Sequence, residues 1–70
     1  MQAVKYVSIR RCYGYGCPKE IEGAWKCAPL DSRQNPISNP YAGIVWEYLS
    51  DCQDDCRAMW PEAILSVDTP

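Results

Sequence analysis

The sequence predicts an α+β fold, in which a short N-terminal β-hairpin or two-stranded sheet packs on one long C-terminal amphipathic helix. Residues 3–11 are rich in β-branched and aromatic side chains, residues 29–40 concentrate turn-forming residues, and apolar side chains then recur at steps of three and four. A chain of 70 residues suffices for one small domain. Within it we expect a strand and loop layer at residues 1–28 and a connecting loop at 29–39. A helix is expected at 40–60, followed by a short last element or tail at 61–70.

Two short strands are expected in the N-terminal layer. Residues 3–11 predict the first strand, because Val, Ile and Tyr favour an extended backbone. Residues 12–18, CYGYGCP, contain two Gly and a Pro, which predicts a tight loop. A second short strand is expected in residues 20–28 around Trp25, where Gly23 weakens or bends it.

The clearest periodic pattern lies in residues 40–60, which predict one amphipathic helix. Ser38 or Asn39 is expected to cap its N-terminus, and Pro40 occupies the first turn, where the missing N–H costs no hydrogen bond. Pro61 ends the pattern. The predicted apolar face consists of Tyr41, Ile44, Val45, Tyr48, Leu49, Cys52, Cys56 and Met59.

The composition excludes several kinds of enzyme. The chain contains no His, and so it lacks the commonest general base and the commonest zinc ligand. A Ser–His or Cys–His nucleophile pair is therefore impossible within the chain, and we expect a protein that is not an enzyme. No apolar run approaches the roughly 18 residues of a membrane span, and no secretory signal is visible. We expect a cytoplasmic protein, in the host cytoplasm if it is viral, or a secreted one if Met1 is not the native start.

The five cysteines allow three interpretations. Cys12 and Cys17 flank the glycine loop, whereas Cys52 and Cys56 lie one turn apart on the predicted helix. If the two pairs face each other, these four thiolates can surround one structural zinc ion, and they are the candidate metal ligands. Alternatively, the thiols are ordinary buried core residues. Disulfides from the helix to Cys12, Cys17 or Cys27 are the third interpretation, and the odd count then leaves one thiol.

Charge is separated along the chain. Residues 1–34 carry six basic and three acidic side chains, for a net charge of +3, whereas residues 35–70 carry one basic and six acidic side chains, for a net charge of −5. Four carboxylates recur on the predicted helix with no Lys or Arg between them, and we call these the acidic ridge: Glu47, Asp51, Asp54 and Asp55. An ordinary solvated helix face is the alternative explanation of this pattern.

The leading functional hypothesis is a small protein-binding regulator or inhibitor, with a phage or mobile element as its suggested source. Its acidic ridge would face a basic surface on a partner protein, because complementary charge steers association. Trp46 lies beside the ridge and is expected to add an aromatic anchor of the type common in interfaces. The chain is expected to be a monomer or a homodimer. The homodimer is considered because the long apolar helical face exceeds what a thin second layer covers.

Two other functions remain open. One is a zinc-stabilised module that binds nucleic acid through Arg10, Arg11, Tyr13 and Tyr15, which combine cations with stacking surfaces. A sequence pI near 4.8 argues against this function, since nucleic-acid affinity depends on neutralising phosphates. The other is a secreted effector stabilised by disulfides. Neither a membrane nor nucleic acid is the expected partner.

Overall fold

A computed structural model describes residues 3–68 as three strands, one short 3-10 helix and one α-helix. The strands are β1 (Tyr6–Arg11), β2 (Trp25–Leu30) and β3 (Ile64–Asp68); the α-helix is α1 (Leu49–Met59), and the 3-10 helix spans Lys19–Ile21. The predicted α+β class is confirmed. The more specific prediction, a hairpin on a long C-terminal helix, is confirmed only in part, because the sheet has a third strand and the helix is shorter.

The three strands form one mixed sheet in the order β2-β1-β3. β1 is central: Ile9 lies opposite Cys27 in the antiparallel pair with β2, and opposite Val67 in the parallel pair with β3. A parallel pair needs a crossover connection, which the chain segment containing α1 provides. The last element of the chain, expected as a short element or tail, is therefore an edge strand.

The core lies between α1 and one face of this sheet. Side chains alternate between the two faces of a strand, and Val7 and Ile9 of β1 are fully buried on the face toward the helix. The buried cluster also contains Cys27 from β2 and Cys52 and Cys56 from α1. Among residues 3–68, no layer packs on the opposite face of the sheet, and the side chains on that face are half-buried or exposed.

The helix predicted at 40–60 begins nine residues later, at Leu49. Two features prevent an earlier start. Gly43 has a φ of +82°, in the left-handed region, and this conformation is incompatible with a continuous α-helix. Trp46 pairs with Trp25 through two backbone hydrogen bonds, with N···O distances of 2.7 and 2.8 Å, which keep this part of the backbone extended.

Asn39 caps a turn instead of a helix. Its Oδ1 accepts a hydrogen bond from the backbone N–H of Tyr41 at 2.9 Å, the arrangement of an Asx turn. Its Nδ2 donates to the carbonyl oxygen of Cys27, also at 2.9 Å, which ties the turn to β2. The residue that precedes α1 is Tyr48, and its side chain makes no capping hydrogen bond.

Candidate functional site: the acidic ridge and the cysteines

α1 presents an apolar face to the sheet and an acidic face to solvent. Cys52 and Cys56 are fully buried, one turn apart, on the inner face. Asp51 and Asp54 are exposed on the outer face, because a rotation of about 100° per residue places them away from the two cysteines. Glu47 is also exposed, but it precedes the first residue of α1. The acidic ridge thus consists of an extended segment followed by a helix.

Asp55 differs from the other residues of the acidic ridge because it accepts a hydrogen bond from the core. Its Oδ2 lies 2.7 Å from Nε1 of Trp46, which donates. Trp46 is only 8% exposed, and so it does not offer the exposed aromatic anchor that the sequence suggested. The reason is its backbone pairing with Trp25, which directs this segment toward the sheet. Trp46 therefore positions Asp55.

An aromatic cluster supports this contact. The ring of Tyr41 packs edge-on against Trp46 and against Trp60, with centroids 5.1 and 5.7 Å apart. The Tyr41 hydroxyl donates to the carbonyl oxygen of Asp55 at 3.4 Å. Desolvation raises the pKa of Tyr41, and the negative charge of Asp55 raises it further. The 40–48 segment is thus held against α1 by aromatic packing and by hydrogen bonds to one residue of the helix.

The acidic ridge is scarcely neutralised within residues 3–68. Asp54 forms an ion pair with Arg57, with 3.8 Å between Oδ1 and Nη1, and both side chains are largely exposed. The other ion pair of this part of the chain joins Arg10 to Asp68 across two neighbouring strands, at 3.6 Å. Hence no basic residue of the N-terminal half pairs with the acidic ridge, and the negative charge faces solvent.

Cys12 and Cys17 form a disulfide with each other, which closes the predicted tight loop. Cys12 follows the last residue of β1, three residues or roughly 10 Å beyond Ile9 at about 3.3 Å per residue, whereas Ile9 packs with the cysteines of α1. The structure therefore does not bring the four expected zinc ligands, Cys12, Cys17, Cys52 and Cys56, together. Within residues 3–68, no group of three or more Cys, Asp or Glu side chains is arranged to hold a metal ion. A structural zinc ion stays a prediction from the sequence.

The other three cysteines, Cys27, Cys52 and Cys56, form a buried cluster of thiols. Cys52 and Cys56 face the sheet one turn apart on α1, and Cys27 packs with them from β2. Burial raises the pKa of Cys27 and of Cys52 to about 12, and Cys56 adds to both shifts. Burial likewise raises the pKa of Cys56. Of the three cysteines considered as partners of the helical pair, Cys27 is the one that packs beside it, and its alternation with Trp25 and Pro29 along β2 is the pattern that indicates this position.

The four residues proposed for nucleic acid have separate environments. The Arg11 Nε donates to the carbonyl oxygen of Gly23 at 3.2 Å, and its guanidinium lies 5.6 Å from the ring centroid of Trp25. Arg10 is paired with Asp68, as described above. Tyr13 and Tyr15 are exposed on the disulfide-closed loop. All four nevertheless contribute to the wall of one open cleft of about 320 Å³, together with Lys26.

Among residues 3–68, no helix has the length and apolar character needed to cross a bilayer.

Comparison with known proteins adds no family to these observations. The chain matches no protein-family model, and neither the curated proteins nor the solved structures contain a significant match to it.

Proposed function

We propose that this chain is a small non-enzymatic regulator or inhibitor that binds a basic surface of another protein through the acidic ridge. The observation that supports this proposal is the outward, nearly unneutralised position of Asp51 and Asp54 on α1. Like charges one helical turn apart oppose helix formation by a few tenths of a kcal/mol per pair. Asp51 and Asp54 therefore add little to the stability of the isolated domain, and a binding role explains their presence.

The residues of the ridge would have different tasks. Asp51 and Asp54 would contact the partner directly, and the exposed Glu47 would extend the negative surface beyond the helix. Asp55 would shape this surface, because its carboxylate is held by Trp46. A partner with Lys or Arg side chains at matching positions would gain both faster association and a preferred orientation.

Charge on the other side of the molecule would orient the encounter. Arg10 and Lys26 are direct neighbours in the register of β1 and β2, and both are exposed on the sheet face that α1 does not cover. Lys26 and Arg10, the latter paired with Asp68, thus lie on the side of the domain opposite α1. A basic partner would be attracted to α1 and repelled from the open sheet face.

A charge-reversal comparison tests this proposal. The variant D51K/D54K changes the ridge, and E20K/E22K is the matched control because it makes the same change in net charge at exposed positions outside α1. Each protein is immobilised, and proteins retained from cell extract are identified by mass spectrometry at salt concentrations of roughly 0.1 and 1 M, between which the Debye length falls from about 10 to 3 Å.

The expected result is a partner with a basic surface that the wild type and E20K/E22K both retain at low salt, and that D51K/D54K loses. Isothermal titration of the purified partner then has to show the same order of affinities. Equal affinity of the wild type and D51K/D54K for every retained protein would refute the proposed role of the acidic ridge.

A further inference from the structure

The buried thiol cluster joins two different elements of the fold. Cys27 lies on β2, whereas Cys52 and Cys56 lie on α1, and the three thiols meet between the sheet and the helix. Neither the proposed binding surface nor the Cys12–Cys17 disulfide uses them. Packing alone does not require Cys at all three positions of this buried cluster, since Ala, Val or Leu would fill similar space without reactive groups.

We propose that Cys27 and Cys56 are the site of a second disulfide, which links β2 covalently to α1 and leaves Cys52 as a thiol. Tyr41 lines one cleft with Cys27, its hydroxyl donates to the carbonyl oxygen of Asp55, and its ring packs on Trp60. These contacts place Cys27 beside the C-terminal half of α1, which carries Cys56, one turn beyond Cys52. The alternative bridge within α1 is unfavourable. Residues four apart on a helix have Cβ atoms about 5–6 Å apart, whereas a disulfide needs roughly 3.5–4.5 Å.

The position of Cys27 gives an oxidant access to the cluster. Cys27 contributes to the wall of an open cleft of about 320 Å³, next to Asn39 and Tyr41. Cys52 and Cys56 are completely buried. A small disulfide such as glutathione disulfide therefore reaches Cys27 first, and Cys56 then acts as the resolving thiol.

The reaction is two successive thiol–disulfide exchanges. The Cys27 thiolate attacks one sulfur of glutathione disulfide, the S–S bond breaks, and one glutathione thiolate leaves. The Cys56 thiolate then attacks the Cys27 sulfur of this mixed disulfide and releases the second glutathione. The two protons lost by Cys27 and Cys56 are taken up by the two glutathione thiolates. The protein loses two electrons, and glutathione disulfide gains them.

The raised pKa values of the thiols determine when the bond forms. Only the thiolate attacks, and burial disfavours it in the folded protein. The exchange is therefore slow at neutral pH once the core is closed, and its rate increases roughly tenfold per pH unit below the thiol pKa. It is faster during folding, when the cysteines are still solvated.

Peptide mapping tests the proposal on the wild-type chain. The folded protein is incubated at about pH 9 with glutathione disulfide as the probe, remaining thiols are alkylated with iodoacetamide, and the product is digested with trypsin and Asp-N protease. Cleavage after Lys26, Arg33 and Arg57 and before each Asp separates the three thiols, which then lie in peptides 27–30, 51–53 and 55–57.

The expected product contains peptide 27–30 linked to 55–57, alkylated peptide 51–53, and an intact internal disulfide in peptide 12–19. A link from 51–53 to either other peptide, or alkylation of all three thiols after prolonged oxidation, would overturn the proposal.

The variants provide a second test that does not depend on one digest. C52S is expected to form the bond at a rate within about threefold of wild type, whereas C27S and C56S are expected not to form it.

Discussion

Replacement of Asp55 by Ala tests whether the acidic ridge contains one residue that serves the fold. The Asp55 carboxylate accepts a hydrogen bond from the Trp46 indole at 2.7 Å, and Trp46 is 8% exposed. By contrast, Asp51 lies four residues earlier on the same helix, is exposed and forms no ion pair among residues 3–68. The two aspartates are alike in charge and lie one turn apart on α1, and so D51A is the control for D55A.

The magnitude follows from the type of hydrogen bond. A bond with one charged partner contributes about 1.5–3 kcal/mol, and removal of the carboxylate leaves the indole N–H of Trp46 without its acceptor. Water reaches the exposed side of Asp55 and offsets part of this loss, whereas relief of repulsion from Asp51 returns a few tenths of a kcal/mol. We expect D55A to lower the free energy of unfolding by about 1.5–2 kcal/mol. D51A is expected to change it by less than about 0.5 kcal/mol.

Urea unfolding followed by circular dichroism measures both values, since a loss of this size is a large part of the roughly 3–5 kcal/mol that a core of this size supplies. A double-mutant cycle with W46F isolates the bond, because Phe keeps most of the ring packing but has no N–H. The expected coupling energy between Trp46 and Asp55 is about 1–2 kcal/mol. A coupling energy below about 0.3 kcal/mol, or equal effects of D55A and D51A, would refute the structural role of Asp55.

Two further predictions concern the core. Under reducing conditions the protein should lose stability as the pH rises above about 9. The thiols of the unfolded chain release their protons in this range, whereas in the folded protein Cys27 and Cys52 keep theirs, because their pKa is raised to about 12. Urea midpoints at about pH 8 and pH 10 measure this loss, and an unchanged midpoint would contradict the burial of the thiols. I9A should cost about 2–5 kcal/mol because Ile9 is fully buried, whereas I64A should cost less than about 1 kcal/mol because Ile64 is 52% exposed. Similar unfolding free energies for these two variants would argue against the burial of Ile9 between the sheet and α1.

Local sequence patterns predicted the parts of the fold that depend on local interactions. The first two strands, the tight loop at 12–18 and the inward position of Cys52 and Cys56 were all expected. The helix boundary was wrong because residues 41–48 also show a period near four, and the backbone pairing of Trp46 with Trp25 outweighs this pattern. Propensity and periodicity contain no information about a contact between residues so far apart.

The candidate site was predictable in its charge but not in its details. The exposure of Asp51 and Asp54 follows from the helical period, since both are offset from the buried Cys52 and Cys56. The burial of Trp46 does not follow, because it depends on the backbone pairing of Trp46 with Trp25. Spacing alone also left the cysteine pairing open: Cys12, just after β1, is bonded to Cys17, and so these two thiols are not available to the expected four-cysteine set.

The order of the strands in the sheet has a consequence for how the chain assembles. β1 and β2 are close in sequence and can pair early, but the other neighbour of β1 lies far along the chain, with Tyr6 opposite Ile64. Contacts of such large sequence separation form late, since the intervening loop must close first. During synthesis the hairpin therefore leaves the ribosome with Val7 and Ile9 uncovered and one edge of β1 open. Aggregation is most probable in this interval, which ends when α1 and β3 have both been made.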